Sequence, residues 1–319
     1  MNRRGLFGLG LGAMVAAGGG VATWRNFDRD LTRARERVGG RCFIAPTRFG
    51  PIEYAVAGEG PPLLMIHGSG GGFDQGQAFA RRLVDAGHQV IAPSRFGYLR
   101  SAFPDDPSSE HQADAFADLL DAVGIERLPV LGGSAGALSA IAFALRHPDR
   151  CRALVPIVPA AYAPDRPIHA PPSPFARVIF EHALRSDFLF WLGLVTAKRE
   201  LIKSVLATDP ALVDAASTVE QARVNEVLWS ILPVSARANG LLNDSRLATN
   251  PARMPIEQIR APTLTISLED DLYGTFAAAQ HIAATVPGAR LISYPTGGHV
   301  WVGHDGEMFA EIDAFLRGL

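Results

Sequence analysis

A serine lies between glycines in the segment Gly132-Gly133-Ser134-Ala135-Gly136, after an apolar run and before a stretch with helical periodicity. A strand that turns sharply into a helix strains the residue at the turn and crowds the positions two before and two after it, where glycine is favoured. Such a turn raises a serine hydroxyl above the carboxyl edge of a sheet, at the positive end of the following helix. Ser134 is therefore a candidate nucleophile. Because a lone Gly-x-Ser-x-Gly also occurs as a small-residue contact between a strand and a helix, further residues must support this interpretation.

A glycine-rich stretch, HGSGGG at residues 67–72, directly follows the apolar run LLMI at residues 63–66. A loop of this kind at the end of a strand can aim backbone N–H groups at an anion. The tetrahedral intermediate of acyl transfer carries such an anion, and donors held in place lower its energy. The stretch therefore predicts an anion-stabilising loop; the alternative is a flexible glycine loop without a function.

Two later stretches supply an acid and an imidazole. The segment LEDD ends an apolar run, so Asp270 and Asp271 are both candidates for a carboxylate that fixes a histidine tautomer and stabilises its cation. A helix-capping acid is the other common use of such a position. The segment PTGGH follows the last apolar run, and its His299 is the candidate general base toward the serine, with His304 as a less favoured substitute.

Strand-like and helix-like segments alternate from residue 41 onward, with an interruption between about residues 161 and 255. This alternation predicts an α/β fold with a mostly parallel central sheet flanked by helices. The interruption has helical patterns and no strand pattern, which indicates a helical cap inserted over one end of the sheet. The predicted organisation is a core domain in two parts, residues 41–160 and 256–319, with the cap at residues 161–255. The serine, the acid and the histidine fall at the carboxyl ends of different predicted strands, where sites of open parallel sheets lie.

The N-terminal segment differs from the rest of the chain. Arg3 and Arg4 precede residues 5–24, which carry no charge and are rich in glycine. A basic start before an apolar run is typical of a targeting segment, and the arginine pair suggests twin-arginine export. The same stretch is long enough to remain as an uncleaved membrane anchor. We expect residues 1–24 to be an export signal or membrane anchor of an exported or membrane-associated protein, and the charged residues 25–40 to form a linker helix. A buried or frayed N-terminal helix is the alternative.

Net charge and cysteine spacing argue against several other functions. The 319 residues carry a formal net charge of −2, without the clustered basic face that nucleic-acid binding needs. The two cysteines, Cys42 and Cys151, do not have the spacing of a metal site. We expect a small-molecule substrate, no nucleic-acid partner, no metal and no cofactor; the sequence leaves the oligomeric state open.

Together these motifs resemble the α/β-hydrolase superfamily over roughly residues 41–319. The segments GGSAG around Ser134, HGSGGG in the glycine loop and GGH at His299 carry the resemblance. The chain order serine, acid, histidine is also that of the superfamily. The segment APSRFGYLRS at residues 92–101 is similar to a further family segment, although Ser94 stands where aspartate is usual and a leucine replaces the second glycine.

The resemblance implies roles for individual residues. Family members usually have Gly-x-x-Asp in the acid segment, and although leucine replaces the glycine here, the alignment makes Asp271 the catalytic acid and leaves Asp270 in reserve. The same alignment implies an oxyanion hole formed by the backbone N–H groups of Ala135 and of Ser69 or Gly70. Haloalkane dehalogenases and epoxide hydrolases of this fold use aspartate as nucleophile, so a serine disfavours their chemistry.

The favoured function is that of a serine hydrolase, which cleaves a small apolar ester or related acyl compound through an acyl-enzyme on Ser134. The apolar preference comes from aromatic residues expected in the lid over the site: Phe175, Phe180, Phe188, Phe190, Trp191 and Trp229. Helical aromatics also commonly form the core of a cap. A carbon–carbon bond hydrolase with the same triad is the alternative enzyme. A non-catalytic small-molecule binding protein on this fold is the alternative from another class.

Overall fold

The computed structural model describes the backbone of residues 3–40, 42–166 and 181–319, and within these ranges the side chains from residue 20 onward. Phe175 and Phe180, which were expected in the lid, lie outside the described residues.

A single eight-stranded sheet forms the centre of the molecule. Its strands are β1 (Phe43–Ala45), β2 (Ile52–Ala57), β3 (Pro62–Ile66), β4 (Gln89–Pro93), β5 (Leu128–Gly133), β6 (Cys151–Ile157), β7 (Leu264–Leu268) and β8 (Arg290–Tyr294). They are arranged in the order β1-β2-β4-β3-β5-β6-β7-β8. From β4 to β8 neighbouring strands run parallel, whereas β1 and β2 add an antiparallel edge. The prediction of a mostly parallel sheet is confirmed.

Helices cover both faces of this sheet. In chain order the helices are α1 (Arg3–Val38), α2 (Phe73–Phe79), α3 (Arg81–Asp85), α4 (Ser109–Ala122), α5 (Gly136–Arg146), α6 (Asp187–Thr196), α7 (Lys198–Val205), α8 (Pro210–Ala215), α9 (Thr218–Trp229), α10 (Ala238–Thr249), α11 (Thr275–Thr285) and α12 (Asp305–Arg317). Phe116 of α4 and Ile141 of α5 are buried on one face, and Leu83 of α3 and Phe309 of α12 on the other. Because both faces are covered, the central strands are continuous apolar runs rather than alternating ones.

The helices α6 to α10 separate β6 from β7 in the chain and have an apolar core of their own. Trp191, Val224 and Leu228 are buried there, in a cluster distinct from the two clusters that flank the sheet. The described cap helices span residues 187–249, inside the range predicted for the cap from its helical patterns.

The charged segment at residues 25–40 packs against the cap, contrary to its predicted role as a linker. It is the C-terminal half of α1, and its Phe27, Leu31 and Ala34 are buried in the apolar cluster of the cap. These residues recur three or four positions apart and so share one face of the helix. The linker prediction was wrong here because the abundant charges lie on the opposite face and hide a short apolar stripe.

The end of α1 also bridges the two parts of the molecule. The guanidinium group of Arg37 donates a hydrogen bond to the main-chain oxygen of Ser230 in the cap (3.0 Å) and lies 3.2 Å from a carboxylate oxygen of Asp74 in the core. The helix runs without a break from Arg3 to Val38, so no change of secondary structure marks the predicted boundary at residue 24. Among the described residues, no helix has the length and apolarity that a membrane crossing requires.

Candidate active site

Ser134 lies in the sharp turn between β5 and α5, as its flanking glycines predicted. Its backbone φ is 51°, a left-handed value that strains a residue with a side chain, and its N–H is bonded to the main-chain oxygen of Ile157 at 2.8 Å. A Cβ on Gly132 would come within 2.7 Å of the main-chain oxygen of Gly136, and a Cβ on Gly136 within 2.4 Å of that of His67. Both glycines are therefore required by close backbone contacts around the strained serine.

His299 contacts the serine from the loop that follows β8. Its Nε2 lies 2.8 Å from the Ser134 hydroxyl oxygen, which is hydrogen-bond distance. Asp270 accepts hydrogen bonds from the N–H groups of Gly297 (3.0 Å) and Gly298 (2.8 Å), the two glycines just before the histidine. The reserve acid therefore fixes the loop that carries His299 and does not contact the imidazole.

Asp271 makes the remaining contact of the relay. One carboxylate oxygen lies 2.7 Å from Nδ1 of His299 and also accepts a hydrogen bond from the hydroxyl of Thr275, while the other accepts the N–H of Tyr273 at 2.8 Å. The side chain of Asp271 is fully buried. A carboxylate at this position favours the tautomer with the proton on Nδ1, which leaves Nε2 free to accept the serine proton. Of the two candidate acids, Asp271 is the one that has this geometry.

Two backbone N–H groups beside the serine are candidate oxyanion donors. The main-chain oxygen of Ser134 accepts hydrogen bonds from Ala137 (3.0 Å) and Ala160 (3.1 Å). Because C=O and N–H of a trans peptide point in opposite directions, these bonds fix the N–H of Ala135 on the other side. Neither this N–H nor that of Ser69 has a hydrogen-bond partner within the described part of the chain.

Gly70, the alternative to Ser69 as the oxyanion donor of the glycine loop, fits this role less well. Its N–H donates to the hydroxyl oxygen of Tyr98 at 3.3 Å, so this donor is already used. The glycine loop nevertheless lies directly against the nucleophile, since a Cβ on Gly68 would lie 3.1 Å from Cβ of Ser134. Of the two alternatives left open by the sequence, the geometry favours Ser69.

A cavity of about 470 Å³ opens at the serine and histidine and extends under the cap. This volume suits a small-molecule ligand. Among the described residues, its cap-side wall is mainly aliphatic: Leu184, Val205, Leu206, Val227, Ile231, Val234, Leu241 and Ala248. Arg166 is the only arginine or lysine in the described wall, and its guanidinium group donates a hydrogen bond to the main-chain oxygen of Ala161 at 3.0 Å.

The aromatic lid predicted from the sequence is mostly core. Of its described members, only Phe190 lines the cavity. Phe188 packs edge-on against Phe27 of α1, and the indole N–H of Trp191 donates to Asp30 at 3.0 Å. Helical periodicity could not show whether these aromatic side chains face the cavity or the core of the cap. The docking of α1, which Phe188 and Trp191 contact, was not expected from the sequence.

Arg95, Tyr98 and Asp244 form a buried polar group beside the glycine loop. The sequence did not predict these three residues as part of a site. Arg95 and Tyr98 lie in the SRFGYLRS segment, whose family resemblance was a usable signal. Asp244 lies on a cap helix and has no sequence motif around it. In the described part of the chain, no three His, Cys, Asp or Glu side chains are grouped to hold a metal ion.

Comparisons with known proteins agree with this architecture. Residues 61–302 match the sequence family described as alpha/beta hydrolase fold. The chain is 29% identical over 260 residues to a 2-hydroxy-6-oxononadienedioate/2-hydroxy-6-oxononatrienedioate hydrolase of Paraburkholderia xenovorans (strain LB400), covering 78% of this chain and 84% of the relative.

Solved structures are similar over most or all of the chain. An alpha/beta hydrolase fold protein from Nakamurella multipartita matches with a TM-score of 0.68 and 27% identity, covering 86% of this chain and 99% of that one. A bacterial membrane phospholipase A matches with a TM-score of 0.64 and 24% identity, covering 99% of each chain, a likeness that shows the fold alone. Since the family match spans most of the chain and the sheet has the family's architecture, the protein belongs to the α/β-hydrolase family and is a hydrolase.

Proposed function

We propose that the protein is a serine hydrolase that cleaves a small apolar ester, or a related acyl compound, through an acyl-enzyme on Ser134. The observation that carries this proposal is the continuous relay from Ser134 through His299 to Asp271, with distances of 2.8 and 2.7 Å, at the mouth of a largely aliphatic cavity. A serine, a base and a buried carboxylate in this arrangement activate a hydroxyl for attack on a carbonyl carbon.

The proposed reaction has two halves. His299 accepts the Ser134 proton as Oγ bonds to the carbonyl carbon, and the carbonyl oxygen becomes an oxyanion that accepts the N–H groups of Ser69 and Ala135. The C–O bond to the leaving alcohol then breaks as His299 returns the proton to that oxygen. In the second half His299 takes a proton from a water molecule, whose oxygen attacks the carbonyl carbon of the acyl-enzyme. The ester bond to Ser134 then breaks as His299 returns this proton to Oγ, and the acid is released.

A carbon–carbon bond hydrolase with the same triad is the second candidate, because the relative from Paraburkholderia xenovorans is named for a dienedioate substrate. A dioate carries two negative charges, and burying a charge without a partner is costly. The described cavity wall contains one arginine, Arg166, and also the acidic Asp244. The described wall thus has no surplus positive charge, which favours a neutral ester over a dianion.

The acyl-binding assignment predicts a change in chain-length preference for Val227→Phe. Val227 lines the cavity from α9, so a phenyl ring there shortens the space available to an acyl chain. We expect kcat/KM for 4-nitrophenyl octanoate to fall about 10-fold or more, with 4-nitrophenyl acetate hardly affected, since each excluded methylene is worth about 1–3 kcal/mol.

Val219 on the same helix supplies the matched control, because it is highly exposed. Val219→Phe is expected to leave the preference unchanged. Equal losses on both esters in Val227→Phe would contradict an acyl chain under the cap. Turnover of a vinylogous 1,5-diketone by wild-type protein, without turnover of any ester, would favour the carbon–carbon hydrolase.

We also propose that residues 5–24 direct export of the protein or hold it at a membrane. The proposal is supported by Arg3 and Arg4 ahead of an uncharged stretch and by the exposure of Val21 and Trp24. Sedimentation of the full chain with membranes, or N-terminal shortening after export, supports it. A full-length protein that stays with the soluble cell contents contradicts it.

A further inference from the structure

A buried acid from the cap contacts the core beside the glycine loop. Asp244 of α10 accepts two parallel hydrogen bonds from the guanidinium group of Arg95, at 2.7 and 2.6 Å. The side chains are only 3% and 8% exposed, respectively. Paired bonds of this kind fix both distance and orientation. The position of the Arg95 guanidinium therefore depends on a residue of the cap.

The same guanidinium binds the glycine loop. It donates to the main-chain oxygen of His67 at 3.0 Å and to that of Gly68 at 3.1 Å. The imidazole Nε2 of His67 accepts the N–H of Arg95 at 2.9 Å, and its Nδ1 lies 2.6 Å from the Gly68 oxygen. Burial holds the pKa of His67 well below its usual range, so the ring is neutral, accepts at Nε2 and donates at Nδ1.

These bonds determine the direction of a candidate oxyanion donor. The oxygen of Gly68 and the N–H of Ser69 belong to one peptide group, and in a trans peptide they point in opposite directions. Three donors fix the Gly68 oxygen: the side chains of Arg95 and His67, and the N–H of Gly71 at 3.3 Å. The N–H of Ser69 is thereby held on the side of the peptide opposite these donors. The loop itself lies against the nucleophile, since a Cβ on Gly68 would lie 3.1 Å from Cβ of Ser134.

The cap makes further contacts with the same loop. The second carboxylate oxygen of Asp244 accepts the hydroxyl groups of Ser69, at 2.9 Å, and of Tyr98. Tyr98 in turn accepts the N–H of Gly70. Arg237, at the start of α10 and fully buried, donates to the main-chain oxygen of Gly71. One cap helix thus contacts successive residues of the loop.

From this arrangement we infer that Asp244 is a positioning residue, which acts through Arg95 to orient the Gly68–Ser69 peptide and couples docking of the cap to formation of the oxyanion hole. The inference rests on the proposed function. A buried ion pair adds little net stability compared with apolar packing, which favours a role in geometry over one in stability alone. A small displacement of an oxyanion donor is enough to slow acyl transfer strongly.

Asp244→Asn tests the inference, because it retains the side-chain shape and removes the charge. We expect kcat for 4-nitrophenyl butyrate to fall about 10- to 100-fold with KM little changed, since the lost interaction is made to the transition state. Binding of an alkyl trifluoromethyl ketone, whose adduct with the serine carries an oxyanion, is expected to weaken by a similar factor. Binding of the matching methyl ketone is expected to stay the same, which a general defect of the cavity would not allow.

Asp114→Asn is the matched control. Asp114 of α4 is also a buried acid with paired bonds to an arginine, Arg146 (2.8 and 2.6 Å), and it makes no hydrogen bond to the loop. We expect this variant to keep wild-type kinetics. Should Asp244→Asn not fold, Tyr98→Phe is the second variant. It keeps the ring and removes the hydroxyl that contacts both Asp244 and Gly70, and the same selective fall in kcat is expected.

The outcomes separate the inference from the proposed function. Folded Asp244→Asn and Tyr98→Phe variants with wild-type kcat and ketone binding contradict the inference alone. Equal kinetic losses in Asp244→Asn and Asp114→Asn also contradict it, because they indicate general destabilisation. A folded wild-type protein that neither hydrolyses esters nor binds the trifluoromethyl ketone contradicts the proposed function and the inference with it.

Discussion

Ser134→Ala is expected to lower kcat for 4-nitrophenyl butyrate by about 10⁴- to 10⁶-fold, the range found when the nucleophile of a serine hydrolase is removed. The reason is chemical: the variant has no oxygen that can bond to the carbonyl carbon, and His299 has no hydroxyl proton to accept at 2.8 Å. The fold should persist, because the substitution leaves the close backbone contacts of Gly132 and Gly136 unchanged and removes only a half-buried hydroxyl. Steady-state turnover and circular dichroism of the purified variant check both statements.

Ser139→Ala provides the control for that loss. Ser139 is a buried serine on the same helix, and its hydroxyl donates only to the main-chain oxygen of Gly136 at 3.2 Å. This variant is expected to retain near wild-type turnover. A Ser134→Ala protein that keeps about a tenth or more of wild-type activity would rule out Ser134 as the nucleophile.

His299→Gln is expected to produce a loss of the same order, about 10⁴- to 10⁶-fold in kcat, with little change in KM. Glutamine can accept a hydrogen bond from Ser134 but cannot take its proton, so the hydroxyl remains a weak nucleophile. In the wild-type protein Asp271 lies 2.7 Å from Nδ1 of His299 and can stabilise an imidazolium ion. Glutamine forms no such cation, so the variant loses this role of Asp271. Stopped-flow measurement of nitrophenol release is expected to show the loss in the acylation step.

His304→Gln is the matched comparison for the histidine. His304 stacks on Tyr294 with ring centroids 4.2 Å apart, and its Nδ1 lies 3.5 Å from Glu307. These contacts do not include Ser134, Asp271 or His299. We expect nearly unchanged kinetics and at most a modest loss of stability. A large loss in His304→Gln together with an active His299→Gln would reverse the assignment of the base.

The parts of the site that the sequence predicted are those controlled by local chain geometry. Ser134 was identifiable because a strained turn between a strand and a helix requires glycine at fixed spacing. His299 and the two acids were identifiable because each follows an apolar strand segment, and the carboxyl ends of parallel strands share one edge of the sheet. Spacing could not distinguish Asp270 from Asp271, since neighbouring residues differ only in which contacts their side chains reach.

The parts that the sequence did not predict depend on contacts between distant segments. Asp244 lies on a cap helix of ordinary composition, and only the docking of that helix brings it to Arg95, far earlier in the chain. The same holds for α1, whose apolar stripe has meaning only once the cap surface that covers Leu31 is known. Aromatic residues of the cap were likewise expected to face the substrate, whereas Trp191 bonds to Asp30 of α1.

The most direct test of the central claim, that Ser134 is an activated nucleophile, is labelling of the wild-type protein with a fluorophosphonate, followed by mass spectrometry of its peptides. An activated serine bonds to phosphorus with loss of fluoride, so we predict one adduct per chain, located on Ser134, with ester turnover lost in step with labelling. Labelling is predicted to be absent in Ser134→Ala and strongly slowed in His299→Gln. A folded protein that hydrolyses esters while Ser134 stays unmodified, or that carries the adduct on another residue, would contradict the account.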